Sequence, residues 1–226
     1  MGVMNNIVAQ NPDYLFMIES ACKAPSGHNT QPWLFKIGAS EIDIYPDFSK
    51  ELPVVDLSHR ELFVSLGCAT ENLCIAAHEK GYHTEVKVIE NSFIRVLLTE
   101  GKEKLPDSLL FPQIAVRQTN KRVYNGEAIP ESTINILKMV PIEPSVSIHF
   151  YRNGTVDYER IAGWVYAGNR LQMNDEAFKT ELTDWMRYNK KQQDNTRDGL
   201  SYATFGAPNI PLFMAKFIMS KLINEK

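Results

Sequence analysis

The chain of 226 residues is 44% hydrophobic and 23% charged, values typical of a globular protein long enough to bury its own core. Its formal net charge of -3 and isoelectric point near 6.0 exclude the basic face that nucleic-acid binding requires. There is no signal-peptide pattern, no apolar run of membrane-spanning length and no CxxC spacing among the three cysteines. These features predict a cytoplasmic protein with reduced thiols and neither nucleic acid nor a membrane as partner.

The N-terminal part of the chain carries clear signals for a helix followed by a hairpin. Asn11 and Pro12 are typical of a helix start, and the apolar spacing that follows predicts a helix that ends at residues 24–25. Residues 33–37 and 41–45 alternate around a Gly-Ala-Ser turn and predict two antiparallel strands.

The remaining elements predict the fold class. An apolar face over residues 62–81 predicts a long helix, which we expect to be central because its other faces are also largely apolar. The polar stretch 101–108 is the best candidate for a domain boundary. This order of elements predicts an α+β fold with a mixed, partly antiparallel sheet flanked by helices. Further strands are predicted at 86–89, 93–99 and 146–151, and further helices from Pro130 and at 155–173, 175–190 and 209–224.

A proline-serine loop (residues 25–31) follows the first predicted helix. Pro25 and Gly27 let the backbone approach a flat ligand closely. Ser26, Asn29 and Gln31 supply hydrogen-bonding groups of both donor and acceptor type. The composition alone leaves two interpretations open, an ordinary turn between helix and strand or a site that faces a ligand.

A basic segment (residues 117–122) places three cations and a hydroxyl within six residues. A phosphate monoester needs such a concentration, because arginine binds its oxygens as a bidentate fork and lysine acts as a point charge. A solvated basic turn is the alternative interpretation. Other chemistries lack support: the five histidines fit no zinc spacing, and the glycine-rich nucleotide fingerprints and the GxSxG elbow are absent. We therefore predict no metal.

Both segments resemble elements of the FMN-dependent nitroreductase family. Arg117, Thr119 and Lys121 match its R-x-[ST]-x-[KR] element in type and spacing. The loop matches the PSxxNxQPW pattern of that family and is most similar to its twin-domain, Acg-like branch; the matching residues are Pro25, Ser26, Asn29, Gln31, Pro32 and Trp33.

The resemblance implies a bound FMN and the residues that hold it. Arg117 and Thr119 would contact the phosphate and ribityl groups, and Lys121 would stabilise negative charge at N1 and O2 of the reduced ring. No catalytic side chain is implied, because the flavin N5 does the chemistry. The implied cofactor-binding residues are Pro25, Ser26, Gly27, Asn29, Gln31, Arg117, Thr119 and Lys121.

The order of the two elements implies two nitroreductase-like units in tandem. The first, residues 1–105, contributes the loop, and the second, apparently abbreviated unit, residues 106–226, contributes the basic element to one composite site. Trp185, Arg187 and Asp198 also resemble the twin-domain branch, without an assignable role.

The function implied is a ping-pong oxidoreductase. It would pass hydride from NADH or NADPH through FMN to a nitroaromatic, a quinone or a similar small acceptor, and it would form a homodimer. The alternative is a non-enzymatic protein that binds or stores flavin, or one that has lost it.

Overall fold

The structure is a computed structural model that describes residues 11–90, 92–101, 103–142 and 144–224. It combines helices with an antiparallel sheet, so the α+β class is confirmed. The strands are β1 (Trp33–Ile37), β2 (Glu41–Pro46), β3 (Tyr82–Ile89), β4 (Phe93–Glu100), β5 (Met186–Arg187) and β6 (Leu200–Ser201). The helices are α1 (Pro12–Ala21), α2 (Arg60–Glu79), α3 (Phe111–Val116), α4 (Glu131–Lys138), α5 (Val156–Met173), α6 (Glu176–Trp185), α7 (Lys190–Thr196) and α8 (Leu212–Asn224).

The main sheet has the strand order β1-β2-β4-β3 and is antiparallel throughout. Short hairpins join β1 to β2 and β3 to β4, and such connections produce antiparallel neighbours. The helix α2 carries the chain from β2 to β3, and β4 lies between these two strands. The expected mixed sheet is therefore wrong for these four strands. Parallel pairing occurs in the separate ribbon of β5 and β6.

The core lies between the main sheet and the helices α1 and α2. Asn11 caps α1 by accepting a hydrogen bond from the backbone N–H of Asp13 at 3.0 Å. Asp56 accepts one from the backbone N–H of Leu62 at 2.8 Å and so satisfies a free donor at the start of α2. The buried core side chains include Met17, Ile18, Phe35, Ile42, Ile44, Leu66, Leu73 and Val96.

Two predicted elements beyond the main sheet are wrong. Residues 146–151 form no strand, and no strand of the described chain pairs with them. Their alternating apolar side chains are largely exposed. The helix predicted over 175–190 ends at Trp185, because Met186 turns to an extended conformation and pairs with Leu200. This turn buries Met186 against Ala215, a contact that helical periodicity cannot reveal.

The chain directly after the main sheet packs against α1 and α2, whereas α4 and α5 lie outside the core. The Phe111 ring lies 5.1 Å from the Phe16 ring, and Ile114 is buried. Within the described residues, α4 and α5 contain no buried side chain, and Trp164 is 68% exposed. The division into units 1–105 and 106–226 stays a prediction.

Glu181 joins α6 to the loop that precedes α2. Its buried carboxylate accepts hydrogen bonds from the backbone N–H groups of Val54 at 2.8 Å and Val55 at 3.0 Å. We expect Glu181→Ala to lower the free energy of unfolding by about 1.5–3 kcal/mol, because both bonds are made to a charged acceptor. Urea denaturation measures the change.

The controls for this prediction separate charge from packing. Glu181→Gln keeps one acceptor oxygen without the charge and should lie between the wild type and the alanine variant. Glu85→Ala removes an exposed carboxylate that pairs with Lys87 on β3 and should change stability by less than about 0.5 kcal/mol. Equal losses in Glu181→Ala and Glu85→Ala would contradict the assigned role.

Candidate functional site

The proline-serine loop and the basic segment line one cavity of about 640 Å³. They are far apart in the chain, and the fold brings them together beside the residues that follow α7. Gln31 lies outside this cavity and lines a smaller one next to it. The other seven residues implied by the resemblance all line the cavity: Pro25, Ser26, Gly27, Asn29, Arg117, Thr119 and Lys121.

The backbone of the proline-serine loop is strained. His28, Asn29 and Gln31 adopt left-handed conformations with φ of 46°, 54° and 56°, although none is glycine. Each such residue costs of order 1–3 kcal/mol, so the surrounding contacts must hold it in place. Within the loop, the Ser26 hydroxyl accepts from the backbone N–H of Gln31 at 3.0 Å. The backbone N–H of Gly27 donates to the hydroxyl of Ser65 on α2 at 3.3 Å.

Two amide side chains of the loop are engaged with the protein itself. The Asn29 side-chain amide donates to the Gly199 carbonyl at 3.2 Å, and that of Gln31 donates to the Arg197 carbonyl at 2.6 Å. The backbone carbonyl of Asn29 in turn accepts a hydrogen bond from the backbone N–H of Gly199 at 3.0 Å. Sequence reasoning assigned these amides to a ligand and missed their protein partners.

The basic segment forms another wall of the cavity and contributes its cations to the lining. Lys121 is held through its backbone N–H, which donates to the Thr204 carbonyl at 3.1 Å, while its ammonium lies 5.9 Å from the Phe205 ring. The Arg117 guanidinium donates to the Lys23 carbonyl at 3.2 Å. Three cations, Arg117, Lys121 and Arg122, and one carboxylate, Glu61, line the cavity, so its net charge favours an anionic group.

Two side chains in the cavity that have shifted pKa values were not predicted as site residues. Burial lowers the pKa of His28 below its ordinary value; the Glu181 charge opposes this shift, and the Lys121 charge adds to it. Burial raises the pKa of the Glu61 carboxyl, the Asp56 charge raises it further, and Lys121 opposes the rise. Glu61 lies in the first turn of α2, and no signal in the sequence linked it to the loop.

The shifted His28 predicts a pH dependence of stability. The unfolded chain, with an ordinary histidine pKa of about 6.5, binds a proton more readily than the folded protein does. Because protonation of His28 favours the unfolded chain, the melting temperature should fall as the pH drops from about 7.5 to about 5.5. His28→Asn suits the left-handed backbone and should reduce that fall.

Calorimetry at the two pH values measures this effect. The matched control is His149→Asn, which replaces an exposed histidine outside the cavity. An unchanged fall in the His28→Asn variant would contradict the assignment.

Among the described residues, no cluster of three or more His, Cys, Asp or Glu side chains is arranged to hold a metal ion. The helices of the described chain are also too short or too polar to cross a bilayer.

The site is a concave cavity with a mostly polar lining and three cations, which suits a small ligand that carries negative charge. No known protein-family profile matches the chain. The chain is 26% identical over 170 residues to two proteins of Mycobacterium tuberculosis, from strains CDC 1551 / Oshkosh and ATCC 25618 / H37Rv, each named "Putative NAD(P)H nitroreductase". The aligned residues make up 73% of this chain and 48% of each relative, so the chain spans about half the length of the curated relatives it matches. This distant similarity supports the resemblance to nitroreductases.

Proposed function

We propose that the protein is an FMN-dependent oxidoreductase of the nitroreductase type. The observation that carries the proposal is the meeting of the proline-serine loop and the basic segment in one cavity. Each segment resembles a different element of the same family, and a shared ligand would explain why the two lie at one cavity. The two mycobacterial relatives, named as NAD(P)H nitroreductases, support the same reaction class.

The residues that line the cavity fit FMN in size and charge. A volume of about 640 Å³ lies within the range of roughly 300–1,000 Å³ that is usual for cofactor pockets. The phosphate of FMN carries up to two negative charges, which the cations of Arg117 and Arg122 at the cavity would neutralise. The hydroxyls of Ser26 and Thr119 add donors and acceptors for a ribityl chain.

In this proposal the protein holds and tunes the cofactor. The chemistry that FMN would supply when bound is hydride transfer from NADH or NADPH to a nitroaromatic, a quinone or a similar small acceptor. Arg117 and Thr119 bind the phosphate end, and Lys121 favours negative charge on the ring. Because donor and acceptor would occupy the same cavity in turn, steady-state kinetics should be ping-pong.

Three further proposals concern the assembly and its location. We propose that the loop and the basic segment come from two nitroreductase-like units in tandem, which form the composite site within one chain. We also propose that the protein is cytoplasmic and that it forms a homodimer. Large exposed apolar side chains on α5, such as Trp164 and Leu171, offer a surface for the second copy. Sedimentation equilibrium tests the dimer, and a monomer at all concentrations would contradict it.

A titration with FMN followed by anaerobic reduction tests the function. The apo protein should quench the fluorescence of added FMN, and the yellow complex should bleach when NADH or NADPH is added. A complex that binds FMN but that neither nicotinamide bleaches would instead support flavin storage. If FMN does not bind at all, both the oxidoreductase and the flavin-storage proposals are wrong. The result would then support the remaining alternative, a protein that has lost flavin.

A further inference from the structure

A bridging segment (residues 197–206) contacts both walls of the cavity. On one side it meets the proline-serine loop through the reciprocal bonds between Gly199 and Asn29, at 3.0 and 3.2 Å. The Arg197 carbonyl accepts from the Gln31 amide at 2.6 Å. These three bonds act on two of the loop residues that have left-handed backbones, so they oppose relaxation of the loop.

The same segment meets the basic segment on its other side. The Thr204 carbonyl accepts from the backbone N–H of Lys121 at 3.1 Å, and the Ala203 carbonyl lies 3.5 Å from the Arg122 guanidinium. Gly206 lies so close that a Cβ there would be 3.3 Å from the Arg122 side chain. The bridging segment is thus a direct physical connection between the two walls.

Asp198 anchors the bridging segment to the rest of the protein. One carboxylate oxygen accepts two hydrogen bonds from the Arg187 guanidinium, at 2.7 and 3.1 Å. The other oxygen accepts from the Lys50 ammonium at 2.9 Å. The Trp185 ring lies beside both cations, at 5.5 Å from the Lys50 ammonium and 5.6 Å from the Arg187 guanidinium.

The anchor is well suited to hold a fixed geometry. The side chains of Asp198 and Arg187 are only 14% and 12% exposed, so solvent screens their pairing weakly. Burial raises the pKa of Asp198, but hydrogen bonds from Arg187, Lys50 and Thr196 outweigh it and hold the pKa below its ordinary value. The carboxylate is therefore charged at neutral pH, which keeps all three bonds charge-assisted.

Gly199 completes the arrangement because no other residue suits its position. Its φ is +79°, a conformation that L side chains rarely adopt, and a Cβ would lie 2.4 Å from the Trp185 carbonyl oxygen. The close approach lets the backbone of residue 199 pair with Asn29 directly next to the anchored Asp198.

We propose that Asp198 is a positioning residue, which fixes the bridging segment so that it holds the proline-serine loop and the basic segment in register around the cavity. Arg187 and Lys50 serve this role through Asp198. The consequence for cofactor affinity rests on the proposed function, whereas the consequence for the order of the loop does not.

Hydrogen exchange of the full-length protein, without any cofactor, tests the positioning directly. In Asp198→Ala, amide exchange in peptides covering residues 25–33 and 197–206 should accelerate by roughly fivefold or more, because the bonds that oppose local opening are weakened. Exchange in α2 should stay at the wild-type rate, which distinguishes loss of positioning from general destabilisation. Acceleration across the whole chain, or none in these peptides, would overturn the proposal.

Three further variants grade the effect. Asp198→Asn keeps the oxygen that accepts from Arg187 and should be intermediate; Lys50→Ala removes one of the three bonds and provides a milder test if Asp198→Ala fails to fold. The matched control is Asp194→Ala, which removes the same charge from an exposed pair with Lys190 on α7. If Asp194→Ala accelerates exchange in the loop as much as Asp198→Ala does, the anchor has no special role.

A titration with FMN then measures the functional consequence. Asp198→Ala should raise the dissociation constant for FMN by roughly tenfold, with Asp198→Asn between it and the wild type. If the wild type binds FMN and Asp198→Ala binds it equally well, the claim that Asp198 supports cofactor affinity is wrong, while the proposed function stands. If the wild type does not bind FMN, the proposed function fails and the exchange experiment still decides the positioning role.

Discussion

Replacing Lys121 or Arg117 with alanine should weaken the binding of FMN by about tenfold each, because each change removes a cation from the wall that we propose faces the phosphate and the anionic ring. Both side chains are exposed to solvent, so screening limits the effect to the lower part of the range for charged hydrogen bonds. Fluorescence titration of FMN measures the two dissociation constants.

A salt series strengthens this test. Affinity of the wild type should fall as the ionic strength rises, and the fall should be smaller in either variant, since one screened charge is gone. The matched control is Lys87→Ala, which removes a cation from β3 outside the cavity and should bind FMN like the wild type. Unchanged affinity in both Lys121→Ala and Arg117→Ala would argue against the assigned site.

Leu66→Ala should lower the free energy of unfolding by about 2–5 kcal/mol. Leu66 lies on α2, is fully buried, and belongs to the core between the helices and the main sheet. Truncation removes apolar contacts and leaves a cavity that the close-packed surroundings fill only in part. Denaturation in urea, followed by circular dichroism, measures the loss.

Leu57→Ala is the control for this stability prediction. Leu57 is 84% exposed, so the same truncation should change stability by less than about 0.5 kcal/mol. A loss in Leu66→Ala as small as that in Leu57→Ala would mean that the core is not organised around α2 as the structure has it.

The first part of the fold was largely predictable from local signals. Asn11 and Pro12 indicated the start of α1, and the apolar period over residues 62–81 indicated α2, whose observed bounds are Arg60–Glu79. The hairpin of β1 and β2 followed from alternation around a short turn. These elements were predictable because their hydrogen bonds close within a few residues, or between strands joined by a short turn.

The later part of the chain was less predictable, because its structure depends on distant partners. The alternation at residues 146–151 is typical of a strand, yet no neighbouring strand of the described chain pairs with it. The helix predicted through residue 190 ends at Trp185, because Met186 gains burial and strand pairing outside the helix. Tertiary contacts override local propensity in such cases.

The candidate site was likewise predictable in part. Residue types made both segments candidates for a ligand site but left an ordinary turn open for each, and the resemblance to a known family then singled them out. The structure brings both segments to one cavity. Sequence reasoning also singled out Trp185, Arg187 and Asp198 without a role. It could not foresee that Asn29 and Gln31 would pair with backbone carbonyls, since backbone groups carry no sequence signature.

The sequence by itself determined the α+β class and the helices and hairpin of the first part, because periodicity and turn residues are local properties. Through its resemblance to a known family it also pointed to the two segments that line the cavity. Only the tertiary structure decided the antiparallel order of the main sheet, the position of Glu61 and His28 in the cavity, and the anchoring of the bridging segment by Asp198. Those features depend on contacts between residues far apart in the chain, whose free energy is settled by packing and burial rather than by neighbours in sequence.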